Sequence, residues 1–146
     1  MGNHPDGHLV YGYALGGPHN GFDLHETPAW LYGGYPQGHV EEVMLAACGW
    51  EEGLLPHEGR EQWRERKQAA LATIGIELVC YGHADYPEYV LGAKVFTAQE
   101  GEVLKLSDDD VETRLAWTPR LYRACDTLQI RPTQQSPCWI LTSYYG

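Results

Sequence analysis

The order of the predicted elements indicates an α+β domain, in which a mainly antiparallel sheet of four to five strands is backed by two to three helices. Two apolar, alternating runs, residues 76–81 and 89–96, flank a short turn, as in an antiparallel hairpin. Two helical patterns precede this hairpin with no strand between them, so the order differs from the regular alternation of a parallel sheet. The final residues 138–145 are aromatic and β-branched, which favours a closing strand.

The N-terminal half is predicted to contain one strand, one long loop and two helices. Residues 8–15 alternate in part between apolar and polar side chains and end at a Gly-Gly-Pro turn, which favours a strand. Residues 16–38 are rich in Gly, Pro, His and aromatic residues and lack a lasting period, so we interpret them as a loop with room for a short strand at 29–32. Helices are expected over 39–48 and 58–73, because apolar residues recur at helical spacing and a glycine follows.

The acidic run at residues 108–110 is interpreted as the start of a helix. Ser107 and Asp110 have the spacing of a capping box, and carboxylates are favourable at the positive end of a helix. A metal site is less favoured, because consecutive helical residues point around the axis and do not converge on one ion. Thr118 and Pro119 are expected to restart the helix as its cap and first residue, and residues 103–106, before Ser107, have room for a short further strand.

Length and cysteine usage predict one soluble domain over residues 1–146, with residues 1–7 as a loose N-terminal segment. A chain of this size buries about 68–70% of its unfolded surface, so it needs no disulfide, and four widely spaced cysteines are expected to stay reduced. No run approaches the roughly 18 apolar residues of a membrane span, and the first residues lack the pattern of a secretory signal. We therefore expect a cytoplasmic protein without a membrane partner.

The charge balance and the absence of nucleotide motifs exclude several functions. With 20 acidic and 10 basic residues the net charge is −10, which opposes binding to nucleic acid. The sequence has no P-loop, no dinucleotide fingerprint and no G-x-S-x-G elbow, so we expect no cofactor and no acyl-transfer chemistry.

The turn between the two hairpin strands carries the candidate catalytic pair, His83 and Asp85. A carboxylate beside an imidazole fixes its tautomer and raises its basicity, which gives a general base. Rigid flanking strands would hold such a pair in position. The commoner alternative is an exposed histidine beside an ordinary turn aspartate that bonds its own backbone.

A second group of candidates would bind a ligand rather than react with it. If the long loop packs over the hairpin, its aromatic residues and those of the turn would line an apolar pocket with polar handles. The candidate ligand-binding residues are His25, Trp30, Tyr32 and Tyr86. A metal reading that joins His83 and Asp85 to His25, Glu26 or His39 is less favoured, because seven histidines give suggestive spacings by chance.

Several short segments resemble those of small acidic actinobacterial proteins to which no activity is assigned. The resemblance implies one compact cytoplasmic domain and transfers no site residue. The segments are Val10 to Tyr13, Asp85-Tyr86-Pro87, Tyr89-Val90-Leu91, Ala93-Lys94-Val95, Trp139-Ile140-Leu141 and Tyr144-Tyr145-Gly146.

Two functions from different classes follow from these features. The first is a small cytoplasmic binding or interaction protein with an aromatic-lined recognition surface, whose ligand is a protein or a small molecule. The alternative is a small hydrolase or lyase that uses His83 as base and Asp85 to orient it. A further reading is an inhibitor whose acidic face binds a basic partner.

Overall fold

The computed structural model describes residues 6–145 and has the α+β class that the sequence predicts. Asp6 and Gly7, which fall in the predicted loose segment, already belong to the first strand, whereas residues 1–5 lie outside the described residues. In chain order the elements are β1 (Asp6–Gly17), β2 (Gly21–Phe22), a 3-10 helix (Ala29–Tyr32), α1 (Pro36–Ala47), α2 (Arg60–Ile74), β3 (Glu77–His83), β4 (Tyr86–Ala98), α3 (Asp108–Glu112), α4 (Arg114–Leu128) and β5 (Cys138–Tyr145).

The five strands form one mainly antiparallel sheet that closes on itself. Its strand order is β2-β1-β4-β3-β5, and β5 also pairs with β1 along residues 6–12 and 138–144. The pairs β1–β4, β3–β4 and β1–β5 are antiparallel, and a short parallel pairing of Gly82 and His83 with the end of β5 completes the ring. The first strand therefore has a hydrogen-bonded neighbour on both sides.

Alternation along the strands sends side chains into two separate cores. The inner core contains Val10, Val79 and Val90, with Tyr81, Val95 and Ile140 packed against them, so four strands and no helix contribute to it. The outer core lies between the sheet and the helices. Its buried members include Tyr11, Tyr13, Leu15, Val40, Met44, Leu78, Leu91, Trp117, Leu121 and Ala124.

Two glycines allow the strands to approach closely where the sheet closes. A methyl group on Gly12 would overlap the carbonyl oxygen of Leu91, and one on Gly92 would overlap the Cγ1 of Val10. Beside them, Tyr11 pairs with Lys94 and Gly12 pairs with Gly92, which leaves Ala93 as the extra residue of a β-bulge. The bulge bends β4 and changes which residues face each core, since Ala93 joins the outer core and Val95 the inner one.

Helices α1 and α4 pack on the outer face of the sheet, and α2 packs on α1. None of the residues of α2 is fully buried, which agrees with its many charged side chains. From β5, Trp139 reaches the same outer core, where its ring lies edge-on to Tyr11 at 5.3 Å and to Trp117 at 5.8 Å between ring centres.

Three local predictions differ from the structure. The segment 29–32 is a 3-10 helix with Leu31 buried, and the short run before Ser107 forms no strand. Helix α4 already begins at Arg114 and contains Pro119 in its interior, so Thr118 does not cap it. The carbonyl that Pro119 leaves without its helical partner belongs to Leu115, which is 75% exposed, so water can satisfy it.

The capping box before α3 is confirmed. The hydroxyl of Ser107 accepts a hydrogen bond from the backbone N–H of Asp110 at 3.2 Å, and the Asp110 carboxylate accepts one from the backbone N–H of Ser107 at 2.8 Å. The hydrogen bonds that the Asp110 carboxylate accepts from Ser107 lower the pKa of this carboxyl below its ordinary value. The acidic run therefore begins a helix, as its spacing indicates.

A glutamine side chain continues the pairing of β1 beyond the start of β5. The Gln134 amide accepts a hydrogen bond from the backbone N–H of Ala14 at 3.0 Å and donates one to the carbonyl of Gly12 at 3.0 Å. It also donates to the carbonyl of Ser136 at 2.6 Å. One primary amide thus occupies the place that a strand backbone would take.

We predict that Gln134→Ala lowers the free energy of unfolding by about 1–3 kcal/mol, because it leaves partly buried backbone groups of β1 without partners. Urea unfolding followed by circular dichroism measures the change. The control is Gln135→Ala, an exposed neighbour, which should stay within about 0.5 kcal/mol of the wild type. Equal losses in the two variants would contradict this role.

Candidate functional site

The predicted hairpin is present, and its tip holds His83 and Asp85 in an exposed turn. The Nδ1 atom of His83 lies 3.6 Å from the Asp85 carboxylate and 3.1 Å from the backbone nitrogen of Asp85. The amide N–H can donate only to an unprotonated Nδ1, whereas the carboxylate pairs with the protonated form. The side chains are 57% and 78% exposed, and neither lines any of three cavities, of about 560, 410 and 300 Å³, found elsewhere in residues 6–145.

Tyr86 lies beside this pair, between two imidazole rings. Its ring centre is 4.4 Å from that of His19, in the turn after β1, and 6.1 Å from that of His83. The first part of the long loop therefore reaches the hairpin tip, as predicted for a recognition surface. Tyr86 is 53% exposed, so the tip is an open aromatic surface and not an enclosed pocket.

The other three predicted ligand-binding residues make different contacts. Trp30 stacks on His39 of α1 at 4.7 Å between ring centres, Tyr32 lies edge-on to Phe22 at 5.2 Å, and the backbone N–H of His25 donates to the carbonyl of Arg131 at 2.9 Å. Trp30 and His39 line a cavity of about 410 Å³ beside the end of α4. Among the described residues, no hydrogen bond or ring contact joins Tyr86 to these three.

A larger cavity, which the sequence did not indicate, lies between α1, the end of α2, the sheet and α4. We call it the α1–α4 groove; its volume is about 560 Å³. Its apolar lining comes from five elements or their ends, and Tyr35, mostly exposed, stands among its wall residues. The apolar residues of the groove are Val40, Leu71, Ala72, Ile76, Leu78, Ala93, Val95 and Trp117.

Two carboxylates share the groove. Burial raises the pKa of the Glu77 carboxyl above its ordinary value; the charge of His8 opposes this effect, and the nearby carboxylate of Glu41 adds to it. Neither carboxylate forms an ion pair with another residue in the described part of the chain. The groove thus disfavours the ionised form of Glu77, and carboxyl groups with a shifted pKa are common at functional sites.

A guanidinium enters the same groove from α4. The Arg120 side chain passes directly over Gly75, where any Cβ would overlap its Nη1 atom. Gly75 ends α2 with a φ of 65°, a conformation that favours glycine. Arg120 makes no ion pair or hydrogen bond to another residue within 6–145, so its donors remain available.

Sequence reasoning missed the groove because its residues come from distant segments. In the sequence, Glu77 and Lys94 occupy polar positions of alternating strands. Nothing in the sequence distinguishes Arg120 from an ordinary exposed charge on a helix. The signal in the sequence was Gly75 followed by Ile76 and Glu77, where a carboxylate comes directly after the junction of a helix and a strand.

A third cavity, of about 300 Å³, lies beside the loop between α1 and α2 and is filled in part by Arg66. The Arg66 guanidinium donates to the Glu58 carboxylate at 2.9 Å and lies 4.2 Å from the ring centre of Trp50. The hydrogen bond from Arg66 lowers the pKa of the Glu58 carboxyl. These contacts hold the loop against α2 and pair the guanidinium of the cavity with Glu58.

Within residues 6–145, the side chains of 112, 144 and 145 not included, there is neither a metal-binding cluster nor a membrane-spanning helix. No group of three or more His, Cys, Asp or Glu side chains there is arranged to hold a metal ion. None of the helices in that range combines the length and the apolar content needed to cross a bilayer.

No protein-family model, curated protein or solved structure matches the chain. The resemblance to small acidic actinobacterial proteins stays a prediction.

We predict that Glu77→Gln raises the free energy of unfolding at pH 7 by about 0.2–1 kcal/mol, the usual size for partly exposed charges. A raised folded pKa means that the Glu77 contribution is fully favourable below the unfolded pKa and is lost as the pH rises through the folded value. The gain of the variant should therefore disappear near pH 3.5, where the acid is protonated in both states.

Urea unfolding at both pH values measures this difference. The matched control is Glu65→Gln, an exposed residue of α2 outside the groove, which should show no such gain. A loss of stability at pH 7 in Glu77→Gln would show that the carboxylate has a stabilising partner.

Proposed function

We propose that the chain is a small cytoplasmic binding protein whose ligand occupies the α1–α4 groove. The observation that carries the proposal is a cavity of about 560 Å³ whose lining combines apolar side chains with charged ones that form no ion pair with one another. Ligand sites in proteins have this size and place polar groups among apolar side chains.

The groove chemistry favours binding over nucleophilic catalysis. Its lining contains no serine, threonine, cysteine or histidine, so it lacks the Ser–His and Cys–His pairs of the commonest nucleophilic sites. What it offers is a set of apolar side chains with the charged groups of Glu41, Glu77, Lys94 and Arg120 placed among them. Such groups fix the orientation of a bound molecule.

The aromatic-lined recognition surface predicted from the sequence is a second candidate site for the same function. Its support is the His19–Tyr86–His83 contact at the hairpin tip and the Trp30–His39 stack beside α4. The alternative of a small hydrolase or lyase is supported by the 3.6 Å approach of His83 to Asp85. Solvent exposure of both side chains weighs against it, because a general base works best where water is excluded.

Amide chemical-shift mapping by NMR tests these sites in one experiment. The probe is a library of small apolar molecules that carry one polar or charged group. We expect shifts to concentrate at groove residues of α1, β3 and α4. The variant Ala72→Trp places a large side chain in the groove and should abolish the shifts.

The matched control is Ala69→Trp, another exposed alanine of α2, which does not line the groove and should bind like the wild type. Shifts confined to residues 82–87 would overturn the groove and favour the hairpin tip. Equal binding by both tryptophan variants would also contradict the proposal.

A further inference from the structure

Arg120 is positioned in the groove as an anion-binding group. Its guanidinium lies over the bare Cα of Gly75, where a Cβ would require the arginine side chain to shift. It has no acidic partner among the described residues, although the chain carries twice as many acidic as basic side chains. A guanidinium presents a planar fork of donors that matches a carboxylate.

Glu41 and Glu77 give the groove an opposite charge at a second position. Glu41 comes from α1 and Glu77 from the start of β3, and neither carboxylate forms an ion pair with Lys94 or Arg120. Groups of both signs of charge therefore remain available to a ligand. A ligand with only a positive charge would leave the guanidinium of Arg120 unpaired. A ligand with only a negative charge would leave the carboxylates of Glu41 and Glu77 unpaired.

Lys94, the other cation of the groove, is directed elsewhere. Its ammonium lies 5.2 Å from the ring centre of Phe96. It also helps to lower the pKa of the Asp110 carboxyl, after the larger effect of the hydrogen bonds to Ser107. Of the two cations in the groove, Arg120 is therefore the one without a described contact to an aromatic ring or a carboxylate.

We propose that the groove binds a small apolar zwitterion, an amino acid or short peptide with apolar side chains. Its ammonium group would lie at Glu41 and Glu77, its carboxylate at Arg120, and its side chains on Val40, Leu78 and Trp117. This inference rests on the proposed function, because it names the ligand class of the same site. The basis is charge complementarity, because the groove presents unpaired groups of both signs beside apolar side chains.

Four compounds separate the contributions of the ligand ends. The probe is L-leucyl-L-leucine, compared with its C-terminal amide, its N-acetyl form and diglycine, by calorimetry and amide shift mapping on the full chain. We expect the dipeptide to bind about 10-fold more tightly than either blocked form, because each blocked form lacks one charged end and the charge-assisted hydrogen bonds that it makes. Diglycine should bind more weakly than the leucine dipeptide, because it lacks the apolar side chains. The affinity for L-leucine, compared with that for the dipeptide, shows whether the groove prefers an amino acid or a peptide.

The variants assign each charge to its residue. Arg120→Gln should weaken the dipeptide about 10-fold while leaving the C-terminal amide unchanged, since that compound has no carboxylate to lose. Arg123→Gln, an exposed residue of the same helix outside the groove, is the matched control and should leave both affinities unchanged. Unfolding curves of both variants show whether the fold is retained.

Two different failures can be told apart. If uncharged apolar compounds shift groove amides but the zwitterion binds no more tightly than its blocked forms, the ligand class is wrong and the binding function stands. If no compound in either set shifts groove amides, the proposed function itself fails. A response of the dipeptide affinity to Arg123→Gln equal to that for Arg120→Gln would overturn the assignment of the carboxylate.

Discussion

Closure of the sheet is the constraint on which the rest of the structure depends. Strand β1 is paired with β4 on one side and β5 on the other, and β3 links β4 to the end of β5. Four strands enclose too little space for large side chains, so the inner core is built mainly from valines. Gly12 and Gly92 are needed because the backbone of one strand and a side chain of another occupy the place where a Cβ would stand.

The groove is a consequence of this arrangement. Because the inner face of the sheet is closed, all helical packing occurs on its outer face, where α1 and α4 lie against β3, β4 and β1. The β-bulge at Ala93 and the junction at Gly75 leave a space between these two helices over the start of β3 and the second half of β4. Charged residues enter that space from both helices and the sheet, so it combines apolar side chains with unpaired charge.

Local features of the fold could be predicted from the sequence, because short-range physics determines them. The hairpin at residues 76–96, the helices after Pro36 and Arg60 and the capping box at Ser107 each follow from periodicity or turn chemistry within a few residues. The prediction that Pro119 begins a helix was wrong because the carbonyl it leaves unbonded is open to water. The 3-10 helix at Ala29–Tyr32 replaced a strand because Leu31 packs into the outer core from a single turn.

Closure and the groove could not be predicted in this way. The second pairing of β1 joins residues more than 120 positions apart, and the groove collects residues from α1 to α4. The sequence predicted correctly that His83 and Asp85 lie at the turn between two paired strands. The exposure of the pair could not be predicted, because it depends on which other segments cover that turn. The long loop brings His19 to the tip but directs Trp30 to α1 and His25 to the segment after α4.

The most direct test of the strand packing within the closed sheet is the free energy of unfolding of Gly12→Ala, compared with Gly7→Ala in the same strand. An alanine methyl at position 12 would overlap the Leu91 carbonyl, whereas at position 7 its nearest neighbour is the Ala98 carbonyl oxygen at an ordinary 3.7 Å. We expect a loss of about 1–3 kcal/mol or more at position 12, the usual cost of overpacking, and almost none at position 7. Equal stability of the two variants would contradict the close approach of β1 and β4 on which the account rests.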